Sequence, residues 1–182
     1  MKLPGTLLFN SEETQAMVNK IAERLISDIK SGDLPHPVFI GIQSKGVPFA
    51  ERVSAIIAEK CNIKIPVGLL DINMYRDDIG KRKTLPHIHA TEIPFDLDDN
   101  AIILFDDVLH TGRTIRAALD ALTDYGRPEL IRLAVLIDRG GQEFPIMANY
   151  TAKTIEMEHS EDFITMSWKE TDGEDAVHIV RR

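Results

Sequence analysis

The 182-residue sequence contains one cysteine, Cys61, so no intrachain disulfide is available to it. Cys61 reads as a small buried residue near a helix end, with nothing nearby that would make it a nucleophile. No apolar run approaches the roughly 20 residues of a membrane-spanning helix. The start, Met1-Lys2-Leu3-Pro4-Gly5-Thr6, lacks a signal-peptide core. These absences predict a soluble, cytoplasmic chain with no membrane partner. Internal repeats, low-complexity tracts and linkers are also missing, which suits a single domain over 1–182 able to bury roughly 70% of its unfolded surface. With 43% hydrophobic and 27% charged residues, the chain falls outside the disordered class.

What is present centres on Ala101 to Thr114. Five apolar residues, Ala101-Ile102-Ile103-Leu104-Phe105, suit a strand of a parallel sheet buried on both faces. Thr114 to Tyr125 then spaces Ile115, Ala118, Leu119 and Leu122 as a helix stripe, stopped by Gly126-Arg127-Pro128. The segment between them lies at a strand's carboxyl end, where open α/β sheets bind ligands. Leu109 to Thr114 would direct backbone N–H groups and two threonine hydroxyls at one point near a helix N-terminus, as a phosphate requires. Gly112 permits a positive φ or a close approach, and Arg113 adds a charge-assisted contact or faces solvent. No Walker lysine follows, which argues against an ATP-type loop. Asp106 and Asp107, as acceptor-only carboxylates, suit paired ribose hydroxyls and magnesium, held directly or through water. Each piece alone fits a solvated turn or an ordinary helix entry. Their combination at this spacing reads as a ribose-phosphate site.

The rest of the chain alternates in the same manner. Asn10 with Glu13 forms a capping-box pattern, and Met17, Ile21, Leu25, Ile26 and Ile29 make an apolar stripe before Gly32. Strands are expected at 38–42, 67–75, 101–105 and 130–137, with helices at 47–60 and 114–125. This predicts an α/β fold with a central parallel sheet flanked by helices. Phe163 to Trp168 and Ala176 to Val180 alternate like strands around Glu170-Thr171-Asp172-Gly173-Glu174, predicting an antiparallel hairpin or an edge addition.

The segment from Asp106 to Thr114 resembles the phosphoribosyl-diphosphate (PRPP) signature of type I phosphoribosyltransferases. With Leu70 to Asp78, Gly126-Arg127-Pro128 and Leu133 to Gly140, it is similar in order and spacing to the PyrR family of pyrimidine-operon regulators. Its members are uracil phosphoribosyltransferases that in some bacteria also bind messenger RNA. The likeness spans nearly the whole chain and implies the type I fold, with a small hood beside the sheet. It also implies PRPP, uracil and UMP as ligands, magnesium as cofactor, and a homodimer or higher homo-oligomer.

Carried over residue by residue, the resemblance makes Asp106, Asp107 and Arg76 catalytic, with magnesium on the two aspartates through water. Leu109, His110, Thr111, Gly112, Arg113 and Thr114 take the 5′-phosphate, and Ser44, Lys45 and Gly46 the diphosphate. Lys45 stands where close relatives commonly have arginine, keeping the charge but not the fork geometry. Without the first motif, Ser44-Lys45-Gly46 would be a plain strand-to-helix turn. Ile137, Asp138, Arg139 and Gly140 are placed at the base, although Asp138 and Arg139 equally suit a structural ion pair.

The polar stretch from Arg76 to Ile93 matches a loop that closes over PRPP and excludes water. It contains Asp77, Asp78, Lys81, Arg82, Lys83, His87 and His89, and it equally suits a solvated surface loop. His87-Ile88-His89 is left unassigned as a metal site, for want of further ligands.

RNA is the partner on which the chain departs from the family. Regulators of the Gram-positive type carry arginines where this sequence has Gln142 and Met147. The net charge of −8 adds repulsion toward any polyanion. These features favour an enzyme over a UMP-responsive RNA-binding regulator with weak or no catalysis. A different base, or nucleotide sensing without turnover, would use the same PRPP pocket.

Overall fold

The computed structural model describes residues 5–77, 90–157 and 162–181. Asn10 starts the first helix, α1 (Ser11–Ser31), with the predicted capping box. Its Oδ1 accepts from the Glu13 N–H at 3.0 Å, and Glu13 Oε2 accepts from the Asn10 N–H at 2.9 Å. Gly32 ends the helix at φ 86°, a conformation that costs glycine little. The chain then alternates through β2 (Pro37–Ile42), α2 (Gly46–Cys61), β3 (Val67–Leu70), β4 (Ala101–Leu109), α3 (Arg113–Leu122), β5 (Leu130–Asp138) and β6 (Tyr150–Thr154).

Five strands form a parallel sheet in the order β3-β2-β4-β5-β6. Alternation along the central strands divides their side chains between two cores. Phe39, Ile103 and Phe105 join Ile21, Leu25, Phe49 and Val53 of α1 and α2. Val38, Ile40, Ile102 and Leu104 join Ile115, Ala118 and Leu122 of α3. A strand covered on both faces must be apolar throughout, which is why Ala101 to Phe105 carries no polar residue.

A second, three-stranded antiparallel sheet is ordered β1-β8-β7, from β1 (Thr6–Phe9), β7 (Phe163–Ser167) and β8 (Ala176–Val180), with the four-residue α4 (Lys169–Asp172) between the last two. The expected C-terminal hairpin is therefore present, as part of its own sheet and not as an addition to the parallel one. Tyr150 ties β6 to α1, its hydroxyl donating to Asp28 at 2.6 Å and accepting from Arg132 at 2.9 Å.

Three expected boundaries move. The strand predicted for 67–75 ends at Leu70 because the Asp71 carboxylate accepts from the Asn73 N–H at 2.7 Å, turning the chain into a 3-10 turn at Asn73–Tyr75. The strand predicted for 101–105 runs on through both aspartates to Leu109, paired with β5 as far as Asp138. The helix predicted to reach Tyr125 ends at Leu122, where bonds tighten to three-residue spacing from Thr123 to Tyr125. Cys61 closes α2 and is half-buried, more open than expected. Among the described residues no helix is long and apolar enough to cross a membrane.

Candidate active site

The carboxyl ends of β2, β3 and β4 border a cleft of about 230 Å³. Gln43, Ser44 and Lys45 enter it after β2, Ile72, Asn73 and Arg76 after β3, Asp106 and Asp107 from β4, and Thr114 from α3. Segments more than sixty residues apart in the chain thus meet at one edge of the sheet, as parallel pairing of β2 with β4 requires. The Gln43–Ser44 peptide is cis. Gly46 follows so close to β4 that a Cβ on it would overlap the Phe105 carbonyl oxygen.

Asp106 is 7% exposed. Burial, then the neighbouring charge of Asp107, push its carboxyl well above the usual range. Asp107 is also raised by burial, against hydrogen bonds from backbone N–H groups and the charge of Lys45. Asp106 Oδ1 accepts from the Asp107 N–H at 3.1 Å, and Asp107 Oδ1 from the Val108 N–H at 2.9 Å. A cation beside the pair would favour ionisation of both carboxylates, and oxygen donors suit a hard one such as Mg²⁺. Among the described residues no group of three or more His, Cys, Asp or Glu side chains is arranged to hold a metal. Two carboxylates are nonetheless sufficient for magnesium, which commonly completes its shell from substrate oxygens and water.

The loop after β4 turns at Gly112, φ 85°, which caps α3. Thr111 Oγ1 accepts from the Arg113 N–H at 3.4 Å, and Thr114 Oγ1 accepts from Arg76 Nη1 at 3.4 Å. Arg113 itself pairs with Asp77 and Glu143, and lies 5.4 Å over the Phe144 ring. Leu109 is 1% exposed, so it offers a ligand only its backbone. Burial, then the charge of Arg139, lower the His110 pKa, against the charge of Glu143.

The predicted base segment spans the carboxyl end of β5, where Asp138 is in register with Leu109, and the two residues after it. Asp138 Oδ1 accepts from the Gly140 N–H and from Gln142 Nε2, each at 2.9 Å. Ile137 is buried in the core, and the Arg139 N–H donates to the Leu109 carbonyl at 3.0 Å. Of the predicted closing loop, residues 78–89 lie outside the described residues, among them Asp78, Lys81, Arg82, Lys83, His87 and His89.

Residues 8–171 match the family described as the phosphoribosyl transferase domain. The chain is 45% identical over 174 residues to the bifunctional protein PyrR of Chloroflexus aurantiacus, covering 96% of this chain and 94% of the relative. To the bifunctional protein PyrR of Deinococcus radiodurans it is 42% identical over 179 residues, covering 98% and 96%. The chain belongs to the PyrR family. A solved hypoxanthine phosphoribosyltransferase of Trypanosoma cruzi, 18% identical, matches with a TM-score of 0.70 over 97% of this chain and 96% of its own. The type I phosphoribosyltransferase fold is therefore shared by this PyrR-family chain and an enzyme of distant sequence.

Several neighbours of the PyrR-type cleft were not singled out in the sequence. Gln43, Ile72 and Asn73 border the cleft, and Glu143 holds Arg113. Asp172 pairs with Lys45 from 127 residues away. Gln43 adjoins the Ser44-Lys45-Gly46 loop, and Ile72 and Asn73 lie within the Leu70 to Asp78 segment that carries the family resemblance, which is a usable signal. No local pattern signals the Lys45 to Asp172 pairing.

Proposed function

We propose that this chain transfers the phosphoribosyl group of PRPP to uracil, giving UMP and pyrophosphate. The observation that carries the reading is the convergence of Ser44 and Lys45, Arg76, the Asp106-Asp107 pair and Thr114 on one cleft. In this reaction the bond from the ribose C1 to the diphosphate breaks, a bond from C1 to the uracil nitrogen forms, and that nitrogen gives up its proton. Positive charge develops on the sugar and negative charge on the departing diphosphate.

Asp106 and Asp107 hold the ribose hydroxyls and would hold magnesium, which neutralises charge on the diphosphate when bound. Leu109 to Thr114 receive the 5′-phosphate through backbone N–H groups and the Thr111 and Thr114 hydroxyls. Ser44, Lys45 and Gly46 receive the diphosphate, and Arg76 adds a cation at the leaving side. The segment from Ile137 to Gly140 faces the base, presenting backbone groups where Ile137 is buried. No covalent nucleophile is needed, because positioning and electrostatic stabilisation supply the acceleration.

The reading is tested by incubating the chain with PRPP, magnesium and an equal mixture of uracil, hypoxanthine and orotate. UMP as the main nucleotide product supports it, and a different nucleotide would move the base assignment. PRPP or UMP binding without turnover would replace the enzyme with a nucleotide sensor.

The relatives are named bifunctional, and the family resemblance implies binding of pyrimidine-gene messenger RNA as the second activity. Two of the cations on α1 already have partners within the chain: Lys20 donates to the Ala152 carbonyl at 2.6 Å and Arg24 to that of Asn149 at 3.1 Å. Gln142 is held by Asp138, and Met147 is exposed. RNA binding to the UMP-loaded chain that weakens steeply with salt would support this second activity.

A further inference from the structure

The C-terminal segment grips the loop after β2 at two points. Trp168, the single tryptophan of the chain, is fully buried, and its ring lies 6.3 Å from that of Phe49 in a stacked pair. Its indole N–H donates to the Lys45 carbonyl at 2.9 Å. The Lys45 ammonium pairs with Asp172 and reaches Thr171 Oγ1 at 3.3 Å. Asp172 is itself oriented, since its Oδ2 accepts from the Trp168 N–H and the Thr171 hydroxyl, each at 2.8 Å. On α2, Arg52 lies 4.6 Å over the Trp168 ring and bonds Glu170 and Asp175, each at 2.7 Å.

Two features separate this arrangement from simple packing. Lys45 lines the cleft, and no side chain caps α2 at that position, so the loop backbone is held from outside its own sequence. An ammonium also has three donors, of which Asp172 and Thr171 engage two, leaving one for an anion in the cleft. A group fixed before substrate arrives costs no reorganisation during reaction.

We propose that Trp168 and Asp172 are positioning residues of the diphosphate site, Trp168 fixing the Lys45 backbone and Asp172 its ammonium. The connection between β7 and β8 thereby becomes part of the active site. This rests on the reading of Ser44 to Gly46 as the diphosphate loop.

The test combines pyrophosphate binding by calorimetry and Trp168 emission with steady-state kinetics for wild type, Asp172→Asn and Trp168→Phe. Asp172→Asn keeps the side chain's size and one acceptor oxygen while removing its charge, whereas Trp168→Phe trims a buried ring, so the former decides the matter. It is expected to weaken pyrophosphate binding and raise the PRPP KM by about five- to tenfold, the scale of one charge-assisted bond, with the uracil KM within about twofold. Pyrophosphate should also change Trp168 emission in wild type, and change it less in Asp172→Asn. Equal or tighter pyrophosphate binding in a folded Asp172→Asn protein, with wild type binding normally, would overturn the proposal alone. Failure of wild type to bind pyrophosphate would remove the diphosphate-loop reading and this inference with it.

Discussion

Gly46 lies against the Phe105 carbonyl with no room for a Cβ between them. This contact sets the distance between the loop after β2 and the strand that delivers Asp106, so one glycine registers two halves of the cleft. Gly46→Ala must push β2 and β4 apart or displace the loop. Overpacking of this kind costs about 1–3 kcal/mol. The variant is expected to melt earlier in calorimetry and to lose PRPP binding more than stability alone would explain. A variant with wild-type affinity would show that the close approach is incidental.

Acid should loosen the C-terminal grip on the loop. Hydrogen bonds from Arg52 hold Glu170 below its ordinary value of 4.5. Burial opposes ionisation of Asp172 and Asp175, but bonds from Lys45, the Trp168 N–H and Arg52 outweigh it and hold both below 3.8. Groups depressed in this way contribute stability above their ordinary values, and it is lost as pH falls through the depressed ones, below about pH 4. Trp168 emission is expected to shift to the red in that window. Arg52→Ala should flatten the dependence and cost about 1–2 kcal/mol at neutral pH through lost ring and carboxylate contacts. An emission spectrum unchanged down to global unfolding would contradict this.

Alkali acts elsewhere on the same core, where Tyr150 joins β6 to α1. Burial, with the hydrogen bond to Asp28, pushes the Tyr150 phenol from 10.0 up to about 12, against the effect of Arg132. A raised folded value means that its contribution is complete below pH 10 and is lost as pH rises toward 12. Tyr150→Phe is expected to lower stability by about 1 kcal/mol at neutral pH and to remove the part of the alkaline loss due to this group. Denaturant unfolding of both proteins at pH 8 and pH 11 measures the difference.

Local rules reached some elements and not others. The Asn10 and Glu13 cap, the αL stop at Gly32 and the left-handed turn at Gly112 were legible because each depends on residues within a few positions. β4 was legible in its apolar half, but its continuation through Asp106 and Asp107 depends on pairing with β5, which polarity concealed. β1 escaped because its partner, β8, comes from the other end of the chain. β6 escaped because its sequence, Tyr-Thr-Ala-Lys-Thr, is polar enough for a sheet edge and short. For the site the same division holds. Ser44, Lys45, Arg76, Asp106, Asp107 and Thr114 come together as the motifs implied, whereas the grip of Trp168 and Asp172 on Lys45 is a tertiary fact.

The central claim is tested most directly by UMP formation from uracil and PRPP, with and without magnesium, in wild type and in the Asp106→Asn/Asp107→Asn double variant. The two Asn residues keep the side-chain oxygens that accept from the Asp107 and Val108 N–H groups, so circular dichroism should show both proteins folded. The account predicts magnesium-dependent UMP formation by wild type and a loss of at least about a hundredfold in the variant, the scale of a removed electrostatic group. Turnover by the folded variant at the wild-type rate, or none by folded wild type at any pH, would contradict it.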